Sequence, residues 1–109
     1  MGSPVPKRLK EARLAMGMSQ KKLGIAAGMD EFSASARMNH YEVGRHTPDY
    51  SMLCRIADIL GLPVAYFYAA SDDLAECIRG YDNLTPADKK LVLSLIKAPA
   101  ELNERRKKP

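Results

Sequence analysis

The stretch from Met18 to Pro48, MSQKKLGIAAGMDEFSASARMNHYEVGRHTP, constrains the fold of this chain more than any other. Leu23, Ala26 and Ala27 fall at helical spacing and give a short segment one apolar side. Ser19 stands just before them, where a hydroxyl can accept from the free amides of a first helical turn. Gly28 stands just after, where the chain must leave the helix and a left-handed residue costs least. Ala34, Met38 and Tyr41 then set a second apolar stripe on the next segment. The pattern predicts two short helices joined by a glycine-bearing turn.

Such a pair is a helix-turn-helix unit, which places its second helix in the DNA major groove. The step of about 100° per residue fixes the outer face of that helix. Opposite Met38 and Tyr41 lie Ser33, Ala36, Asn39 and His40, with Ser35 and Arg37 on the flanks. Asparagine can pair bidentately with adenine and arginine with guanine, while alanine or serine can touch a thymine methyl. The plain alternative is a solvated helix face. His40 is too isolated for a metal ligand and has no catalytic companion.

Charge supports the DNA reading by its placement more than by its total. The net charge is +4, compatible with phosphate contacts without proving them. Lys7, Arg8, Lys10, Arg13, Lys21 and Lys22 all precede the turn and are opposed there only by Glu11. Asp72, Asp73, Glu76 and Asp82 make the middle of the C-terminal half acidic. Aromatics are few and Trp is absent, which argues against a stacking platform for single strands.

The chain resembles the phage-repressor (Cro-type) helix-turn-helix regulators, also called the xenobiotic-response-element family. The resemblance rests on Leu9, Arg13, the Ser19-Gln20 pair, Leu23, Gly28, Met38, Tyr41, Glu42, Gly44, Pro48, Leu53, Ala57, Leu60 and Gly61, in that order. No one of these is specific; the ordered set is. The resemblance implies that Gln20 packs between the recognition helix and the DNA, with a phosphate or base contact. It implies phosphate contacts from Arg45 and His46, and base or backbone contact from His40. It also implies that Arg13 and Glu42 form a partly buried ion pair, structural in role, tying the first helix to the end of the third. One departure stands out. The family usually has about four fewer residues, roughly one helical turn, between the turn glycine and the glutamate matching Glu42. The surplus lies in MDEFSAS, and it either lengthens the recognition helix at its start or enlarges the turn.

The expected fold is all-α: a five-helix repressor-like domain over residues 6–70, a helical C-terminal extension over 72–98, and a flexible tail over 99–109. Helices are expected at about Pro6 to Met16, Ser19 to Ala27, within Phe32 to Val43, at Tyr50 to Leu60, and in PVAYFYA after Pro63. Asp30 or Ser33 could cap the third. In the extension, Thr85 can cap a helix that opens on Pro86 and that Pro99 limits. Asp72-Asp73 reads as a helix-capping run.

Leu74, Ile78 and Tyr81 on one segment, and Leu91, Val92, Leu95 and Ile96 on the next, form apolar stripes that need cover from each other or from a second chain. The expectation is a two-fold homodimer through these residues, helped by Tyr66, Phe67 and Tyr68. A single unit reads only a few base pairs, and pairing on a palindromic operator lengthens the site.

Cys54 and Cys77 lack metal-ligand spacing, and Cys54 reads as a small buried hydrophobe. There is no P-loop, Rossmann glycine pattern, His-Glu metal motif or nucleophile signature. The expectation is therefore no enzyme, no cofactor, no metal and no membrane span, with a cytoplasmic, nucleoid-associated location. The expected partner is double-stranded DNA, and the expected function is sequence-specific transcription regulation, as a repressor. One alternative is an antitoxin or phage-type regulator whose C-terminal helices bind a protein partner. Another is a protein-interaction module that does not touch DNA.

Overall fold

The computed structural model describes residues 2–107, with side chains as far as Pro99. It contains α1 (Val5–Ala15), α2 (Gln20–Ala26), α3 (Ala34–Glu42), α4 (Tyr50–Leu60), a 3₁₀ turn (Val64–Tyr68), α5 (Asp72–Asp82) and α6 (Pro86–Lys107). No strand occurs among the described residues. Packing divides the chain into two compact units, Met1–Arg79 and Gly80–Pro109. The boundary between these units falls inside α5. No described helix is long and apolar enough to cross a membrane.

The first unit is built on the stripes that the sequence displays. Leu9, Leu23, Met38, Leu53, Ile56 and Phe67 are fully buried, and Ala12, Ala27, Ala34, Ala57 and Leu60 fill between them. Caps set the helix starts. Ser19 Oγ accepts from the Lys22 amide at 3.0 Å, and Asp49 Oδ1 accepts from the Met52 amide at 2.7 Å. Gly28 ends the passage out of α2 at φ 95°, a conformation that side-chain-bearing residues rarely hold.

The extra residues enlarge the turn; α3 keeps nine residues and begins only at Ala34. Neither expected cap is used as a side-chain cap on this helix. Ser33 occupies the N-cap position with helical backbone angles and no cap bond. Asp30 works one step earlier: its carboxylate accepts from the Phe32 amide at 3.1 Å, and its carbonyl accepts from the Ser33 and Ala34 amides at 3.1 and 2.9 Å. A short polar side chain bonding its own backbone two residues on is what makes aspartate a turn former.

Gly24 explains how closely α2 and α3 approach. A Cβ built on Gly24 would lie 2.9 Å from Ala34 Cβ, 3.0 Å from the Ala34 carbonyl oxygen and 3.1 Å from Met29 Sδ. The first residue of α3 therefore rests against bare backbone, and any side chain at position 24 would push the two helices apart.

Several expectations change here. Phe67 is fully buried in the first unit's core, so it offers nothing to a second chain. Cys54 is half-buried rather than a core residue, and its nearness is the chief cause that raises the Tyr50 hydroxyl above its ordinary pKa. Arg8, grouped with the basic reading head, is buried instead. Its Nη1 donates to Asp72 Oδ1 at 2.7 Å, its Nε donates to the Ala69 carbonyl at 3.1 Å, and its guanidinium lies 6.0 Å from the Tyr66 ring centre. Lys7 joins the same carboxylate at 3.1 Å. Asp72 is therefore a partner of α1 rather than a cap, and the bonds from Arg8 and then Lys7 hold its carboxyl below the usual range. The cap at that helix is Ser71, whose Oγ accepts from the Leu74 amide at 3.1 Å.

The last change concerns α6. Thr85 caps it as expected, accepting from the Asp88 amide at 3.2 Å, but the helix runs through Pro99 to Lys107 instead of stopping there. Proline removes one backbone donor and crowds the preceding turn; the cost is local, and a helix can resume beyond it. The tail expected to be flexible is thus helical to Lys107, and positions 108 and 109 lie outside the described residues. Within this second unit, Lys89 Nζ sits 5.3 Å from the Tyr81 ring centre.

Two glycines in helices should respond oppositely to the same change. Helix propensity favours alanine over glycine by about 1 kcal/mol. At Gly80 a Cβ meets nothing within 4 Å, so Gly80→Ala should raise stability by about 0.5–1 kcal/mol. At Gly24 the crowding outweighs propensity, because overpacking costs about 1–3 kcal/mol and one neighbour is a carbonyl oxygen that cannot rotate away. Gly24→Ala should melt below the parent in urea or heat. A Gly24→Ala protein as stable as the parent would show the helices free to separate.

Candidate nucleic-acid interface

A single carboxylate organises this surface. Glu42 is the last residue of α3, and only 2% of its side chain is exposed; for Arg13 on α1 the figure is 9%. Arg13 grips it with both arms of its fork: Nε donates to Oε2 at 2.6 Å and Nη2 to Oε1 at 3.0 Å. The remaining arm, Nη1, donates to the Met18 carbonyl at 2.8 Å in the turn between α1 and α2. The bond to Glu42 raises the pKa of the guanidinium, while desolvation opposes that shift. Arginine suits the place because its planar fork matches a carboxylate and it cannot discard its charge.

Gln20 extends the arrangement to α2. Its Nε2 donates to Glu42 Oε1 at 3.2 Å and to Asn39 Oδ1 at 3.1 Å. Both hydrogens of this amide are therefore engaged inside the protein. That nitrogen bridges α2 to α3. Ser19 likewise spends its hydroxyl on the α2 cap.

The outward face of α3 is laid out as the helical step requires. Ser35, Ala36, Arg37 and Asn39 are exposed, and Ser33 and His40 are half-buried. The loop after the helix folds back against its end. The Arg45 and His46 amides donate to the His40 carbonyl at 2.9 and 3.2 Å, and the His40 and His46 rings meet edge-on with centres 5.0 Å apart. Arg45 and His46 are exposed beside the end of α3. Arg13, Gln20, Asn39 and Glu42 thus form one hydrogen-bonded chain, and His40, Arg45 and His46 form a second group at the same end of the helix.

Two features of this surface escaped the sequence. Gly24 carries no pattern that distinguishes a close approach from a tolerated helix glycine. Phe32, in the enlarged turn at the start of the recognition helix, is 90% exposed; it lies in the surplus residues, where spacing arguments do not reach. Among the described residues, no group of three or more His, Cys, Asp or Glu side chains could hold a metal ion.

The seven residues expected at a dimer contact are unevenly covered. Leu74, Leu91, Leu95 and Ile96 are exposed, whereas Ile78, Tyr81 and Val92 are half-buried.

A family model described as a helix-turn-helix domain matches residues 7–66. Among solved structures, the chain is similar to the crystal structure of the transcriptional regulator BswR. The two are 48% identical, with 86% of this chain and 93% of that chain covered and a TM-score of 0.80. No curated protein matches.

Removing one partner of a buried pair leaves the other charge without solvent, at a cost of about 3–5 kcal/mol. Arg13→Ala should therefore lower the unfolding free energy by about that amount, read by urea titration. A melting curve unchanged from the parent would remove the pair from any structural role.

Proposed function

This chain belongs to the helix-turn-helix domain family, and from that premise we propose that it is a repressor acting as a homodimer on a palindromic operator. At the coarser level it is a DNA-binding transcription regulator and not an enzyme. The observation that carries the operator reading is the exposed polar face of α3. Ser35, Ala36, Arg37 and Asn39 stand free of the core, while the buried Arg13–Glu42 pair fixes the end of the same helix. A side chain held on a fixed helix can meet a base edge at a fixed register.

In this reading Ser33, Ser35, Ala36, Arg37, Asn39 and His40 face the major groove. Arg45 and His46 approach the phosphates, and the α2 end with Ser19 and Gln20 supports them. Phosphate contacts position the protein and base contacts give it sequence preference. Repression follows from occupancy: a bound dimer denies the promoter to polymerase. The working place of such a protein is the cytoplasm, on the nucleoid.

In this reading dimerisation uses the exposed apolar residues of α6 and, separately, of α5. Leu91, Leu95 and Ile96 are exposed on α6, and Leu74 is exposed on α5. The same residues would serve the second reading, an antitoxin or phage-type regulator whose C-terminal helices hold a different protein. Copurification of a stoichiometric foreign protein would favour that reading.

Two measurements test the proposal. Duplex binding should be sequence-specific and weaken steeply with salt. Arg45→Ala should weaken all sequences alike and lower the salt slope by about 1. His40→Ala should change preference at one or two base pairs, by about 1–3 kcal/mol if a paired contact is lost. Equal binding of random and selected duplexes by the parent would refute operator recognition. Light scattering on the full chain should give a dimer, and Leu91→Glu with Leu95→Glu should give a monomer with an intact head. A parent that stays monomeric at tens of micromolar, or a charged variant that still dimerises, defeats the assignment.

A further inference from the structure

Asparagine and glutamine amides read DNA in two opposite ways, depending on which atom faces the groove. Here the buried carboxylate decides the matter by chemistry. Glu42 is held as a carboxylate by the Arg13 fork and can only accept hydrogen bonds. The Gln20 atom 3.2 Å from Glu42 Oε1 must therefore be its nitrogen. That same nitrogen lies 3.1 Å from the Asn39 amide. A nitrogen that donates requires an acceptor, so the Asn39 atom turned inward is Oδ1. The Asn39 NH2 group consequently faces outward from the exposed side of α3.

We propose that Asn39 is a specificity-determining residue that presents donors alone and selects guanine, its orientation being set from the buried Arg13–Glu42 pair through Gln20. This rests on the reading of α3 as the DNA-contacting helix. Guanine offers two neighbouring acceptors, N7 and O6, in the major groove. Adenine places an amino group beside its N7 and cytosine presents only an amino donor, so either sets donor against donor, while thymine offers a single acceptor, O4, beside its methyl group; guanine alone offers two neighbouring acceptors to the two amide hydrogens. The adenine pairing expected of a free asparagine needs an oxygen and a nitrogen side by side at the groove. In this protein the oxygen is committed to Gln20. Gln20 is thereby a positioning residue, since both of its amide hydrogens are used within the protein.

The orientation can be read without DNA. Exchange of side-chain amide protons, followed by NMR on the full chain, should show the Gln20 pair protected and the Asn39 pair exchanging at the rate of a solvent-facing amide. Protected Asn39 protons beside freely exchanging Gln20 protons would overturn the proposal.

The base preference is read by selecting sites from a random duplex pool with the parent, Asn39→Asp and Asn39→Ala proteins. Asn39→Asp keeps an inward oxygen for Gln20 and replaces the outward donor with an acceptor. One guanine of the site should give way to cytosine, whose amino group can donate to it, with the preference inverting by about tenfold and the rest of the motif unchanged. Asn39→Ala should lose preference at that base pair alone. The same motif from all three proteins overturns the proposal. If no protein selects any motif although the amide exchange is as expected, the DNA reading of α3 fails, and this inference fails with it.

Discussion

The buried pair between Arg13 and Glu42 is the constraint on which the reading surface depends. One carboxylate receives the α1 guanidinium through two bonds and the α2 amide of Gln20 through a third. Arg13 also satisfies the Met18 carbonyl in the turn between α1 and α2. Three helices and one turn are thus referred to a single group. A charge removed from water is tolerated only when its partners are complete and well aligned, so the helices have little freedom to shift while the pair persists. That rigidity passes to the outer face of α3, because the last helical residue is itself the buried carboxylate.

At the opposite end of α3, contact is fixed by the absence of a side chain. Gly24 lets Ala34 approach the α2 backbone, and the enlarged turn returns the chain to that point through the Asp30 bonds. The surplus residues therefore leave the register of α3 relative to Glu42 untouched. What they add lies outside the helix, in a short hydrogen-bonded projection that carries Phe32.

The legible parts of the fold were those governed by local signals. Ser19 and Thr85 cap the helices whose first turns they precede, and the stripe of Ala34, Met38 and Tyr41 is buried as its spacing requires. The Arg13–Glu42 contact was legible only through family resemblance, since no local rule links residues 29 positions apart. Arg8 shows the limit. It was counted among surface cations because its partner, Asp72, lies 64 positions away. The folding of the surplus residues stayed open for a related reason: a one-turn excess satisfies either a longer helix or a larger turn, and only the Asp30 bonds decide between them. The extent of α6 was misjudged because proline was taken as a stop, although a helix can resume past one missing donor. The direction of the Asn39 amide needed two successive contacts, which spacing alone does not supply.

The pairing of Lys7 and Arg8 with Asp72 alters what the head looks like from a distance. Two cations of the first helix share one carboxylate at the start of α5, and Glu11 lies 3.6 Å from Arg8, so the potential that reaches into solvent is weaker than the run of basic residues suggests. At physiological ionic strength, fields from exposed charges fade over about 8 Å. Attraction toward a polyanion then rests on the other exposed cations, Lys10, Lys21, Lys22, Arg37 and Arg45 among them. A helix-turn-helix regulator with fewer uncompensated cations gains less sequence-independent affinity from the phosphates, because each phosphate contact forgone removes part of the counterion release that drives such binding.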